Sequence, residues 1–324
     1  MSRGPAIKPE TATFLYTRGA TLARALPRGV ALRVATAGGW ASALVMREGR
    51  FLVARNLERV AGEPVGRWRL RRRVLASFAH YARYWVESAR LPTTSDAEVD
   101  EGHDVVGYDH VQRALDAGTG IILVLPHLGG WEWSAFWLAR INNVRVTAVV
   151  EPLQPPELME WFVEFRRSLG MTIVPLGPTA GQEVLAALKR NDVVCLLADR
   201  DVNGSGLDVT FFGEKTTMPA GPATLALRSG APLCPTAVYF DGRYGHRGVV
   251  RPPIDTTRTG RLRTDVARVT QAVADELEGL IREAPEQWHL LQPNWPSDEI
   301  ALADFRQQRQ QRRPSPRPRL RPVR

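Results

Sequence analysis

Cysteine and lysine are nearly missing from this sequence. Only two of its 324 residues are cysteine, Cys195 and Cys234, each inside an apolar run. A disulfide framework is therefore excluded, and a chain of this length buries enough core not to need one. Two core thiols in a reducing compartment are expected instead. Lysine occurs only at Lys8, Lys189 and Lys215, so arginine carries almost all the positive charge. Long apolar runs are absent too. The most apolar early stretch, 34–46, falls short of the roughly 20 residues a membrane span needs, and Arg24, Arg28 and Arg33 interrupt what precedes it. Arg3, Lys8 and Glu10 are not followed by a clean apolar core and a small-residue cleavage site, so no signal peptide is expected and a cytoplasmic location is. Acidic residues are absent between Arg306 and Arg324, where eight arginines supply most of the formal net charge of +9. The rest of the chain is close to neutral, and the high isoelectric point describes the tail.

Residues 11–48 mix apolar side chains with spaced arginines, which suits amphipathic helices lying on a membrane surface with arginine stems snorkelling from the apolar face. Packing of the same helices on the core fits equally well. A second helical region, 67–90, has a basic start and an aromatic stretch. From residue 104 the pattern changes. Short β-like runs at 120–125, 144–150, 172–175, 193–198, 233–240 and 248–250 alternate with helical stretches at 132–141, 156–169, 180–190 and 220–229, and a long final helix is expected over 263–283. Such alternation predicts an α/β fold with a mostly parallel central sheet flanked by helices. The predicted organisation is one domain over residues 1–300, helical over 10–100 and α/β over 104–296, followed by a disordered tail at 301–324. The tail is too rich in proline, glutamine and arginine to bury a core.

The segment that carries chemistry is 121–139, IILVLPHLGGWEWSAFWLA. A buried-looking strand ends at Pro126, His127 follows, two glycines turn the chain and a helix begins near Trp131. On one continuous helix His127 and Glu132 would lie about 140° apart. The glycine turn permits φ > 0, so a histidine at the strand end is expected to face a glutamate in the first helical turn. Active sites of open α/β sheets lie beyond the strand carboxyl ends. Glu132 would then hold one imidazole nitrogen and leave the other to take a proton from a hydroxyl. The alternative is a core histidine satisfied by a neighbouring acid. The aromatic run Trp131, Trp133, Phe136 and Trp137 suits either the wall of an apolar groove or the core.

Four segments in order complete a pattern: His127-Leu-Gly-Gly-Trp-Glu132; Leu196-Leu-Ala-Asp199-Arg-Asp201; Val209-Thr-Phe-Phe-Gly213 with Pro219-Ala-Gly-Pro222 and Ala226; and Pro285-Glu-Gln-Trp288-His-Leu-Leu. From about residue 10 to 296 the sequence resembles the bacterial lipid A biosynthesis acyltransferases, in the wording of the branch that acylates phosphatidylinositol mannosides. The resemblance implies a fold like that of the glycerolipid acyltransferases, although the Pro-Glu-Gly segment of that sister group is absent. It implies transfer of a fatty-acyl chain from a thioester, coenzyme A or acyl carrier protein as co-substrate, to a hydroxyl of a membrane glycolipid, with no further cofactor and no metal. A lipid A-like molecule or a lysophospholipid is the alternative acceptor. His127 would be the general base. Asp199 would be a second partner of the histidine or an orienter of the acceptor, the alternative being a plain pair with Arg200. Arg166 would steady the acyl group or bind a polar head group, and backbone N–H groups near Trp131 or Arg166 would meet the oxyanion. Its expected place is the cytoplasmic face of the cell membrane, held peripherally by anionic lipids.

Rival classes fare worse. Ser205 sits in Asn-Gly-Ser-Gly and fails the spacing of a serine-hydrolase elbow. Gly118-Thr-Gly120 precedes a strand where a dinucleotide site needs glycines after one. A nucleic-acid-binding protein is the non-enzymatic rival, supported by the arginine tail alone. The body has no basic stripe interleaved with exposed aromatics, and such a tail suits anionic lipid head groups as well. No nucleic-acid partner is expected.

Overall fold

A computed structural model describes residues 18–151 and 156–311. The amphipathic pattern predicted from residue 11 is therefore seen only from residue 18, and the disorder predicted for 312–324 lies outside the described residues.

Within residues 28–90 three helices lead toward the sheet: α1 (Arg28–Val45), α2 (Arg47–Ala61) and α3 (Arg67–Arg90). α1 and α2 meet at a bend of 101°. α1 lies against α3 so closely that a Cβ at Gly39 would come within 2.4 Å of the Phe78 carbonyl oxygen. Ala43, Val53, Leu57, Val74 and Phe78 form a small core between the three.

After α4 (Asp96–Glu101) the chain builds a seven-stranded sheet in the order β1-β9-β8-β2-β5-β3-β4. Its strands are β1 (His103–Val106), β2 (Ile121–Leu125), β3 (Val146–Val150), β4 (Met171–Pro175), β5 (Val193–Leu197), β8 (Leu233–Asp241) and β9 (Gly245–Val250). All neighbours pair in parallel except β8 with β9. In β2, Ile122 and Val124 join the core on one face while Ile121, Leu123 and Leu125 join the core on the other. Both faces are covered, so the central strands read as continuous apolar runs instead of alternating ones. α8 (Ala180–Lys189), α9 (Gly221–Ser229) and α10 (Leu262–Glu283) cover the first face. α5 (Tyr108–Asp116), α6 (Trp131–Phe136) and α7 (Pro156–Ser168) cover the second. Cys195 and Cys234 are free and buried, and burial pushes both thiols up to about 12.

The mostly parallel sheet flanked by helices matches the sequence expectation, apart from α4 and α5, which no expected helical stretch covered, and three further differences. The edge strand β1 is too short to stand out as a run. The hairpin β6 (Leu207–Phe211) and β7 (Glu214–Met218) forms a separate two-stranded sheet, and its residues are too polar to read as core strand. Phe212 and Gly213 take positive φ of 50° and 77° at its tip, the turn that a two-residue hairpin demands. The third difference is a correction. Helix α11 (Pro296–Gln311) runs through 301–311, which the composition had assigned to a disordered tail. Fully buried Asp298 accepts the backbone N–H groups of Asn294 and Trp295 and pairs with Arg55 and Arg59 of α2. Phe305 stacks on Phe51 at 4.6 Å, and Arg306 holds Glu48 through both carboxylate oxygens. A few docking contacts set that helix, and an average over tail composition does not see them.

Candidate active site

β2 and β5 lie side by side in parallel, with Leu125 opposite Leu197. His127 and Asp199 each stand two residues past those partners, so the register carries both beyond the sheet together. The His127 Nδ1–H donates to Asp199 Oδ1 at 2.5 Å. Trp288 Nε1–H donates to Asp199 Oδ2 at 2.7 Å. Burial alone would raise the Asp199 carboxyl, but the His127 charge, the hydrogen bonds from His127 and Trp288, and Arg200 outweigh it and hold the group down at about 2. Asp199 is fully buried and ionised, whereas the His127 side chain keeps 23% of its exposure. With Nδ1 fixed on a carboxylate, Nε2 is the nitrogen left for a substrate, and the ring lines a cavity beyond the strand ends.

The turn after His127 is held by close approach. Gly129 has a φ of 58°, and a Cβ there would lie 1.8 Å from the Val238 carbonyl oxygen. Segment 285–290 then stitches the turn in place. Gly129 N–H donates to the Gln287 carbonyl, the His289 N–H donates to the His127 carbonyl, and the His289 Nε2–H donates to the Gly129 carbonyl. Burial outweighs that last bond and pushes His289 down to about 3, so it stays neutral.

Glu132 does not meet His127. Its carboxylate, 2% exposed, accepts from Tyr84 Oη–H at 2.7 Å, Arg166 at 2.9 Å and Ser88 at 3.4 Å. The expected His127–Glu132 pair is thus corrected. A helix that starts at Trp131 carries Glu132 into the interior, toward α3 and α7, and the acid beside the histidine comes from the neighbouring strand. Arg200 is not the partner of Asp199 either, because Glu151 binds its guanidinium through both oxygens.

Arg166 is buried against the rings of Trp131 and Phe162, 5.3 and 5.5 Å from their centroids. Burial opposes its charge, but Glu132 and Tyr84 more than compensate and raise its pKa. Tyr84 is pushed well above its ordinary value by burial and by the Glu132 charge. Arg166 belongs to the last turn of α7, so its side chain and not a helix-start N–H faces the site. His127, Trp131 and Arg166 share one cavity of about 750 Å³ with apolar walls from Val149, Leu185 and Leu225, a size and character typical of small-molecule sites. Of the aromatic run only Trp131 lines it. Trp133 stacks on His246 at 4.2 Å, Phe136 is fully buried, and Trp137 packs against Tyr108 and His103. The role of Trp288 was missed in the sequence, where it showed only as one letter of the last segment.

A histidine–aspartate pair at the strand ends, opening on an apolar cavity with a buried cation, fits attack by a hydroxyl on an acyl carbonyl. The model of the bacterial lipid A biosynthesis acyltransferases matches residues 6–297. The chain belongs to that family. It is an acyltransferase. Among its relatives, a phosphatidylinositol mannoside acyltransferase of Mycolicibacterium smegmatis is 43% identical over 91% of this chain and 93% of its own. One of Mycobacterium tuberculosis is 41% identical over 89% and 90% respectively. A lipid A biosynthesis acyltransferase of Haemophilus influenzae is 23% identical over 65% of this chain and 64% of its own. The acyltransferase thus shares nearly the full length of the two mycobacterial enzymes.

Proposed function

We propose that this acyltransferase moves a fatty-acyl chain from the thioester of coenzyme A, or of acyl carrier protein, onto a mannose hydroxyl of a phosphatidylinositol mannoside. The near full-length identity to enzymes named for that acceptor supports the choice of lipid. The observation that carries the chemistry is the His127–Asp199 pair, whose histidine lines the cavity. His127 Nε2 takes the proton of the acceptor hydroxyl as its oxygen attacks the thioester carbonyl carbon. The carbon–sulfur bond then breaks, and the thiolate leaves with the proton from His127. Asp199 fixes the tautomer and stabilises the imidazolium. The Arg166 guanidinium, fixed by Glu132, supplies a preorganised charge for the oxyanion, an effect worth about 3–4 kcal/mol per donor in comparable sites. The apolar walls take the acyl chain. The proposed transfer needs no cofactor beyond the thioester.

The enzyme works at the cytoplasmic face of the membrane as a peripheral protein. Among the described residues no single helix is long and apolar enough to cross a bilayer. α1 nevertheless exposes Val34, Trp40, Leu44 and Val45, with Trp68 nearby on α3, beside exposed Arg33, Arg67 and Arg69, which suit anionic lipids. Two experiments test these statements. Labelled acyl-coenzyme A and acyl carrier protein are offered with mannosylated phosphoinositide, a lipid A precursor and a lysophospholipid. Ester formation on the mannoside alone is expected, and equal or greater transfer to another acceptor rejects the assignment. Flotation with anionic vesicles is expected, and a protein that stays at the bottom of the gradient rejects the peripheral placement.

A further inference from the structure

α3 has a second job. Tyr81, Tyr84 and Trp85 line the catalytic cavity. Arg72, Leu75, Ala76, Ala79 and Arg83 line a different cavity of about 510 Å³. At 100° per residue these two sets occupy opposite faces of the helix, so α3 is a wall with a cavity on each side. The second cavity is a groove closed on its other side by α1, through Leu32, Thr36 and Trp40. Small side chains at Gly29, Thr36, Ala76 and Ala79 leave its floor open.

Arg33 of α1, Arg72 of α3 and Arg243 of the β8–β9 turn converge on this groove from three distant parts of the chain. All three are exposed, and none makes an ion pair or a side-chain hydrogen bond among the described residues. Arg243 only lies over the Tyr244 ring at 5.2 Å. Arg83, by contrast, is committed to Glu87 at 3.1 Å. No acidic side chain lines the groove, and His80 is held neutral, chiefly by burial, at about 4. Trp40, half exposed, sits at its edge on the same helix as exposed Val34 and Leu44. Three unneutralised guanidinium groups over an apolar floor match one chemistry: a phosphodiester head group with acyl chains attached. Arginine suits this because its planar fork binds phosphate oxygens in pairs.

We propose that the groove between α1 and α3 binds the head group of an anionic membrane phospholipid, at a site separated from the catalytic cavity by α3. It deepens the peripheral-membrane reading and rests on that reading only for the source of its ligand. A lipid held there would seat the α1 face in the bilayer surface with the catalytic cavity on the other side of α3.

The test uses the full chain and monomeric short-chain phosphatidylglycerol, with phosphatidylcholine of the same tails and inorganic phosphate as comparisons. The unaltered protein is expected to bind phosphatidylglycerol at least tenfold tighter than phosphatidylcholine. The triple substitution Arg33→Gln, Arg72→Gln and Arg243→Gln should weaken phosphatidylglycerol binding by about fivefold per arginine, or on the order of a hundredfold in all. Its melt should be unchanged, because the three side chains are exposed. A charge-matched control, Arg67→Gln, Arg69→Gln and Arg71→Gln, should retain binding. Equal loss in both triples means diffuse surface charge and overturns the site. Undiminished binding in the groove triple overturns it, as does displacement by inorganic phosphate at the same concentration as lipid. Groove-dependent binding of the soluble lipid by a protein that fails to float with vesicles would uphold the site and reject the peripheral placement.

Discussion

Asp199 and Glu132 are both interior carboxylates, 0% and 2% exposed, and each binds a residue that lines the catalytic cavity. They differ in the company they keep. Asp199 has a titratable partner, His127, whose far nitrogen is open to the cavity. Glu132 is bound by an arginine, a tyrosine and a serine, none of which exchanges a proton near neutral pH. One carboxylate therefore serves proton transfer, while the other is a fixed charge that braces α3, α6 and α7 and holds a cation in place. Burial alone does not distinguish a catalytic acid from a structural one; the partner does.

That division can be broken experimentally. His127→Ala should cost the most, about 10²–10⁴-fold or more in transfer rate, with the protein still folded. A folded His127→Ala enzyme with near-normal turnover would remove the histidine from the chemistry. Asp199→Asn should come next, with a loss on the order of 10²-fold or more in kcat and little change in KM. An asparagine amide facing Nδ1 favours the tautomer with the proton on Nε2, where a base needs a lone pair. If Asp199→Asn instead raised KM alone, the acid would be an acceptor-binding group. Acid titration sharpens the same point. The Asp199 carboxyl is depressed to about 2 in the folded protein, so its stabilisation is fully present above the ordinary aspartate range and fades as pH falls through about 4 toward 2. Asp199→Asn should flatten stability over that window, as measured by denaturant midpoints. Glu132→Gln should lower stability by about 3 kcal/mol by stranding Arg166, with a smaller fall in rate than Asp199→Asn. Adding Arg166→Met should recover part of that stability and none of the rate. Tyr84→Phe is the smallest step. It removes one hydrogen bond to a charged group, about 1.5–3 kcal/mol of stability, and should leave the pH profile of turnover unchanged.

The strand–turn–helix around His127 was legible because each part is local: an apolar run, two glycines and an aromatic helix start. The partner of His127 was not, since 72 residues separate it from Asp199 and their meeting depends on β2 and β5 being neighbours. A signal was present, because both residues stand two positions beyond a fully apolar five-residue run. Sequence proximity drew Glu132 to the histidine instead, and the direction in which α6 leaves the turn decided against it. Helix α11 was hidden for a similar reason. Its helicity depends on Asp298 and Phe305 finding α2, contacts some 240 residues apart that no local pattern announces.

The clamp from segment 285–290 has a consequence for how the enzyme comes into being. Trp288 completes the shell of Asp199, and His289 fastens the His127 turn, yet both are synthesised about 160 residues after that turn. A chain emerging from the ribosome carries its histidine and aspartate long before it carries the residues that lock them, and domains form as units once their last pieces arrive. The nascent enzyme is therefore expected to stay silent toward acyl thioesters until segment 285–290 has been made. A stalled chain ending before Pro285 would hold an aspartate without its indole partner in a loosened turn.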